Sequence, residues 1–245
     1  MSATSKTILI TGINRGLGHG IAQACLKRGD QVLGLGRRSA PDLENQPNFL
    51  FAQADVANAS ECATALDRLL RDCRHLDVAI LNAGILGPIA DMRDQSIDTM
   101  KQVLDVNLWA NKTLIDLLLG RELQIQQIVA VSSGAAVNGH RGWGGYSVSK
   151  AALNMLTKLY ANERPDIHFS ALAPGLVDTG MQDQIRALPD DTPFPSVTKL
   201  KQASGTDAMP DPVTAGRVFL EAAERLPQLI DSGSFADIRK PPLKS

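Results

Sequence analysis

Tyr146 and Lys150 stand four residues apart in Gly145-Tyr146-Ser147-Val148-Ser149-Lys150, and Ser133 lies thirteen residues upstream of the tyrosine. Four residues are about one helical turn, so a phenol and an ammonium at that spacing share one face. A neighbouring cation favours the phenolate and draws a tyrosine pKa down from its usual value of about 10. The spacing therefore predicts a tyrosine able to give or take a proton near neutral pH, as a general acid or base must. Alone, the pair is not diagnostic, because Tyr-x-x-x-Lys also arises on solvated helical faces.

A second feature stands at the other end of the chain. Ile8-Leu9-Ile10-Thr11 reads as a short buried strand and runs into Gly12-Ile13-Asn14-Arg15-Gly16-Leu17-Gly18. Beyond it Leu17, Ile21 and Cys25 recur every four residues, with Ala22 and Leu26 widening the stripe, as on an amphipathic helix that Gly29 stops. A strand, a glycine turn and a helix N-terminus make a phosphate site, since bare backbone approaches closely and the helix dipole favours an anion. The spacing is G-x-x-x-G-x-G rather than G-x-G-x-x-G. A nucleotide is expected there; a merely tight loop is the alternative.

The elements that must position these groups alternate along the chain. Strands are expected at residues 31–35, 49–54, 76–81, 127–131, 168–172 and around 234–238. Helices are expected at 60–73 with Ser60 as N-cap, at 96–119, at 147–162 and at 213–225. Such alternation predicts an α/β fold with a parallel sheet and right-handed crossovers. Ligands bind at the carboxyl ends of such strands. The glycine turn, Asp55, Asn82-Ala83-Gly84, Ser132-Ser133 and Pro174-Gly175 all fall at those ends. From Thr179 to Pro212, Pro189, Pro193, Pro195, Pro210 and Pro212 interrupt polar sequence with no clear regular structure. That texture suits a lid or a disordered loop. With few apolar anchors it is expected to be mobile without ligand.

A chain of 245 residues suits one large α/β domain or two small ones. Apolar content of 44% and charged content of 21% are ordinary for a globular protein in water. A net charge of −1 leaves no electrostatic footprint for nucleic acid or an acidic membrane. Cys25, Cys62 and Cys73 form no metal-like spacing; Cys25 and Cys62 fall in expected helices and read as buried thiols. Met1 to Lys6 is short and polar, and the apolar run after it ends at Gly12, so no signal peptide is expected. No stretch of 18 apolar residues suggests a membrane span. A reducing cytoplasm is the expected setting.

On these motifs the chain resembles the short-chain dehydrogenase/reductase family over nearly its full length. The matching pieces are Thr11-Gly12-x-x-x-Gly16-x-Gly18, Asp55-Val56, Asn82-Ala83-Gly84, Asn107, Ser132-Ser133, Tyr146-x-x-x-Lys150 and Pro174-Gly175-x-Val177-x-Thr179, in that order. The resemblance implies a single Rossmann-like domain, residues 1–245, with a doubly wound parallel sheet, helices on both faces and a substrate loop at about 179–212. It implies an enzyme that moves a hydride between a nicotinamide nucleotide and a carbonyl or alcohol. The cofactor supplies that chemistry and the protein fixes geometry and protonation.

Carried over residue by residue, the resemblance makes Tyr146 the proton donor and Ser133 the holder of the substrate oxygen. Lys150 would bind the nicotinamide ribose and lower the Tyr146 pKa, and Asn107 would anchor a water linked to Lys150. Gly12, Asn14, Arg15, Gly16, Leu17 and Gly18 would form the phosphate turn. Asp55, with Val56, would meet the adenine edge, and Asn82, Ala83 and Gly84 would line the ribose. Pro174 and Gly175 would lead into Val177 and Thr179 at the nicotinamide carboxamide. Simpler roles stay open: a strand-end cap for Ser132 and Ser133, a turn for Asp55, a polar surface for Asn107. The thirteen-residue offset favours Ser133 over Ser132. Trp143 either lines the substrate pocket or packs under the helix, and His140 and Arg141 read as solvated loop residues.

The nicotinamide can be narrowed. A carboxylate at the end of the second strand accepts NAD ribose hydroxyls, whereas arginine accommodates the NADP phosphate. Here Gly36 stands at the acid's position, Arg37 and Arg38 follow, and Arg15 sits in the glycine turn. Guanidinium groups fork onto phosphate oxygens, so NADP(H) is the expected cofactor. Ser132 through Tyr146 looks like sepiapterin- or benzil-reductase relatives, and Asn14-Arg15 is similar to sniffer-like carbonyl reductases. The expected partners are a small-molecule carbonyl or alcohol and further copies of the chain, as a homodimer or homotetramer, with no nucleic acid, membrane or metal. The alternatives are an NADP-binding regulator with little turnover, and an epimerase or dehydratase relative, for whose larger C-terminal domain 245 residues leave little room.

Overall fold

The computed structural model describes residues 5–189 and 191–244; the polar start from Met1 to Thr4 lies outside the described residues. Seven strands form one parallel sheet: β1 (Thr7–Thr11), β2 (Gln31–Gly36), β3 (Phe49–Gln53), β4 (His75–Leu81), β5 (Gln124–Val131), β6 (His168–Ala173) and β7 (Ser234–Asp237). Their order is β3-β2-β1-β4-β5-β6-β7, with Ile8 opposite both Val32 and Val78. The order reverses between β1 and β4, which opens a crevice at their carboxyl ends.

The strands are apolar on both faces because both are covered. On one face α1 (Gly16–Lys27) and α8 (Pro212–Leu229) bury Ile21, Cys25, Phe219 and Leu226 against Ile8, Ile10, Val78 and Val129. On the other, α2 (Ala59–Leu69), α4 (Ala110–Leu119) and α5 (Gly144–Glu163) bury Leu66, Leu114, Leu118 and Tyr160 against Leu9, Leu33, Ala79 and Ile128. Alternation along β1 sends Ile8 and Ile10 to one layer and Leu9 to the other. Helices α1 and α8 cross so closely that a Cβ on Gly20 would overlap the Pro212 carbonyl, and one on Gly216 would overlap the Gly20 backbone.

Several expectations need correction. The N-cap of α2 is Asn58, not Ser60: its side chain accepts from the backbone N–H of Ser60 and Glu61, and the Glu61 carboxylate reaches back to Asp55 N–H. The helix ends at Leu69, where the Cys73 N–H returns to the Leu70 carbonyl. The stretch 96–119 is not one α-helix. It comprises α3 (Ile97–Leu104), capped by Ser96, a single π turn over Asp105–Trp109, and α4. The segment 179–212 holds two helices, α6 (Gly180–Arg186) and α7 (Pro195–Ala203). Cys25 and Cys62 are buried in α1 and α2. No helix among the described residues is long and apolar enough to cross a membrane.

Candidate active site

The glycine turn closes the end of β1. Gly12 and Gly16 have φ of 72° and 61°, a left-handed backbone that residues with a Cβ adopt at a cost. A Cβ on Gly18 would overlap the Gly12 carbonyl and the Asn82 amide, so the bare turn is held against β4. Asn82 does that holding: its Nδ2 donates to the carbonyls of Thr11 (2.9 Å) and Gly12 (3.2 Å). The Thr11 hydroxyl accepts from the N–H of Asn82 and of Ala83. Asn82 thus shapes the turn. Thr179 packs on Gly16, which brings the Pro174–Thr179 segment, with Val177 buried, beside the glycine turn. Leu17 is buried and Asn14 is exposed.

Gly36 lies against Gly12 where β2 ends, and Arg37 and Arg38 are exposed just beyond. Arg15 is exposed too, its guanidinium lying over Gly180 at the start of α6. The Asp55 carboxylate accepts from Ala57 N–H at 3.0 Å, so its turn role is real; Val56 beside it is buried.

Helix α5 carries Tyr146 and Lys150. Lys150 is 4% exposed and donates to the Val131 carbonyl at 2.7 Å, with Nζ 5.8 Å from the centre of the Tyr146 ring. Gly84 lies close by: a Cβ there would sit 3.7 Å from Lys150 Nζ. Ser132 is buried and donates to Asn154 Oδ1 of α5, whereas the Ser133 side chain accepts from Ala135 N–H and lies close enough to Tyr146 to draw on its pKa. The structure thus pairs Ser133, not Ser132, with the tyrosine. Burial raises the Tyr146 pKa above its usual 10, with Ser133 pulling the other way, and lowers that of Lys150 to about 8. This reverses the expected tuning. Each group is pushed toward its neutral form, because in the low-dielectric interior desolvation outweighs a cation that is already bonded to a carbonyl.

Asn107, in the π turn, is fully buried. Its Oδ1 accepts from Ile85 N–H, and Nδ2 donates to the Ile85 carbonyl and to Ser149 Oγ. Its own carbonyl accepts from Asn111 Nδ2. The side chain therefore ties the loop after β4 to α5, and the surface reading is excluded.

The segment after Thr179 is better anchored than its sequence suggests. Ile185 and Val197 are buried, and Met181, Leu188, Phe194 and Leu200 pack with Leu86, Ile89, Trp143 and Tyr146. Trp143 packs between Tyr146 and α7. Its ring lies 6.2 Å from that of Tyr146, tilted by 59°, and its Nε1 donates to Ser196 Oγ of α7. Arg141 is not free in solvent: it forks onto Asp91 and stands 5.7 Å over the Phe194 ring. His140 is exposed.

One residue at this edge gave no sequence signal. Arg239, just past β7, forks onto the buried Asp237 through Nε and Nη2 and lies across Gly134 and Gly175. A lone arginine near the end of a chain has no spacing to mark it.

The chain matches the family model described as short chain dehydrogenase over residues 6–189. An uncharacterised oxidoreductase of Schizosaccharomyces pombe is 35% identical over 187 residues, 74% of each chain. A benzil reductase ((S)-benzoin forming) of Saccharomyces cerevisiae is 30% identical over 234 residues, 88% of this chain and 89% of that one. The crystal structure of a short-chain dehydrogenase/reductase from the same yeast superposes with a TM-score of 0.86 at 26% identity, covering 98% of each chain.

Proposed function

The chain belongs to the short-chain dehydrogenase/reductase family, and we propose that it is an NADPH-dependent carbonyl reductase passing a hydride between the nicotinamide and a carbonyl or alcohol. The observation that carries this reading is Tyr146 and Lys150 side by side on α5 at the carboxyl edge of the sheet, with Ser133 next to the tyrosine, beside a turn whose glycines leave a cradle a Cβ would fill. That cradle fits a dinucleotide: bare backbone at a helix N-terminus suits its phosphates. Bound there, a nicotinamide supplies or accepts the hydride. The rest falls to this chain.

In reduction, the Ser133 hydroxyl holds the substrate oxygen and Tyr146 gives it the proton. Burial keeps the resting tyrosine in the protonated form a donor needs, since a phenol with a raised pKa stays protonated at neutral pH. Lys150, one turn along α5, is fixed by Val131. A water relay from Lys150 past Asn107 would use the second lone pair of the Asn107 carbonyl, because both Nδ2 hydrogens are spent. The apolar residues of α6 and α7 over Tyr146 and Trp143 exclude water and favour an apolar carbonyl. The yeast benzil reductase makes benzil a rational first substrate.

NADP(H) is preferred on this reading because Arg15, Arg37 and Arg38 are exposed and, among the described residues, form no ion pair, so their guanidinium groups are open to a 2′-phosphate. Assembly as a homodimer or homotetramer is supported by α5, whose Val148, Met155 and Leu159 form one exposed apolar face, and by Trp109, exposed just before α4. A cytoplasmic setting accords with the free thiols of Cys25, Cys62 and Cys73.

The test is NADPH oxidation with benzil and a panel of aldehydes, ketones and pterins, for the native chain and for Tyr146→Phe. The variant keeps ring and packing. It should bind NADPH normally and reduce carbonyls at least about a hundredfold more slowly, the low end of a general-acid contribution. NADPH binding with no turnover on any carbonyl would instead support a nucleotide-binding regulator.

A further inference from the structure

Arg239 is placed where a substrate would meet it. It follows β7, at the edge of the sheet, and its side chain lies across the ends of β6 and, beyond it, β5. A Cβ on Gly175 would sit 2.9 Å from Arg239 Cδ, and one on Gly134 would sit 3.3 Å from Nη2. Glycines at both positions are what let the arginine lie flat there. Gly134 follows Ser133, and Gly175 begins the segment assigned above to the nicotinamide. The guanidinium therefore sits beside the reacting end of the crevice, not its adenine end.

Its hydrogen bonding is one-sided. A guanidinium has five N–H donors. Nε and Nη2 each give one to Asp237, at 2.9 and 2.7 Å. Both hydrogens of Nη1 and one of Nη2 make no further bond among the described residues. The carboxylate that orients the group is itself buried, at 3% side-chain exposure, while the Arg239 side chain is 49% exposed. Arg239 and the nearby Lys240 hold the Asp237 pKa down against the desolvation that would raise it, so the pair stays ionised. A fork fixed along its rear edge, with its free edge toward solvent, is preorganised for a second planar anion.

We propose that Arg239 is a specificity-determining residue that binds a carboxylate carried by the substrate, so that the favoured substrates are oxo acids whose carbonyl meets Ser133 and Tyr146. This rests on the carbonyl-reductase reading of the same site and deepens it. The walls over Tyr146 take the apolar body, and the guanidinium takes the acid.

The experiment uses 4-oxo-4-phenylbutanoate and its methylamide, which share one carbonyl and differ in charge. Values of kcat/KM are measured for both with the native chain, Arg239→Met and Arg239→Lys. The native chain should prefer the acid by at least about tenfold, as a charged hydrogen bond implies. Arg239→Met should abolish the preference, mainly through KM, and Arg239→Lys should restore part of it. Because Arg239→Met strands a buried carboxylate, the double variant Arg239→Met/Asp237→Asn guards against simple misfolding and should show the same loss. Calorimetric binding of 4-phenylbutanoate and 4-phenylbutanamide at saturating NADP+ gives a readout free of turnover. If no carbonyl is reduced yet the acid binds tighter and Arg239→Met removes the difference, the anion site stands and the reductase reading falls. Equal native values for acid and amide, equal losses on both in the variants, or a matching loss of NADPH affinity would overturn the proposal.

Discussion

Lys150→Met should make the cofactor-free protein more stable while disabling it. The ammonium is buried against Val131, and its pKa falls from 10.5 to about 8 because burial penalises the charged form. That drop corresponds to about 3 kcal/mol of folding free energy lost at neutral pH. Methionine has similar length and no charge, but it forfeits the hydrogen bond to the Val131 carbonyl, about 1 kcal/mol net. The balance is about 2 kcal/mol in favour of the variant, or a melting point higher by roughly 4–8 °C at this chain length. The sign varies with pH. Below pH 8 the lysine is charged folded and unfolded, so the full penalty applies. Between about 8 and 10.5 the unfolded chain holds a proton the folded one has lost, so native stability rises with pH. Above 10.5 the penalty is gone and the native chain should match or exceed the variant. Calorimetric melting of both apo proteins from pH 6 to 11 checks this, with NADPH oxidation run alongside. A variant that melts at or below the native chain at pH 7, or a gap that does not change with pH, would refute the reasoning.

Three further outcomes are expected. Arg37→Asp sets a like charge against a 2′-phosphate and offers ribose hydroxyls an acceptor, so the NADPH/NADH ratio of kcat/KM should fall by about tenfold or more; a change below about threefold removes Arg37 as selector. Gly20→Ala drives a Cβ into the Pro212 carbonyl, and backbone cannot yield as a flexible side chain can, so it should cost about 3 kcal/mol and lower the melting point by roughly 6–12 °C. Met155→Glu with Leu159→Glu puts two charges on the apolar face of α5; light scattering should show a smaller assembly, and an unchanged mass would remove that face from any subunit contact.

The sheet and its ligand edge were legible because period and punctuation agreed. Apolar runs ended in glycine, asparagine or serine at strand after strand, and buried parallel strands leave little choice of residue type. The break in the helix after Ser96 was hidden, because a π turn keeps the side-chain pattern nearly helical and shows only in the backbone bonds, here from Ala110 N–H to the Asp105 carbonyl. The helices of 179–212 were hidden for another reason. Proline density suggested loop, yet Pro195 occupies the first turn of α7, where a missing N–H costs nothing. Met181, Ile185 and Leu188, and Phe194, Val197 and Leu200, are helically spaced but form only two-turn runs broken by Pro189 and Pro193, and they converge on Trp143 only once folded. Spacing placed Tyr146 beside Lys150 on one helix but misjudged their tuning, because desolvation depends on what surrounds a side chain in space. Arg239 depends on two glycines more than sixty residues away in sequence, a relation no local window contains.

Gly20 and Gly216 also bear on how this chain can change over time. Each occupies the space a side chain at the other's contact would need, so neither can gain even a methyl while the two helix backbones touch. A replacement at one cannot be rescued by a smaller residue at the other, since glycine is already the minimum. Compensation would require the helices to move apart. Yet α1 begins at the glycine turn and α8 begins where the segment over Tyr146 ends. Any such displacement would therefore be felt at both walls of the crevice. The pair acts as a ratchet on sequence drift: no single substitution at either glycine can change the distance between the glycine turn and the end of the segment over Tyr146 without parting the two helices.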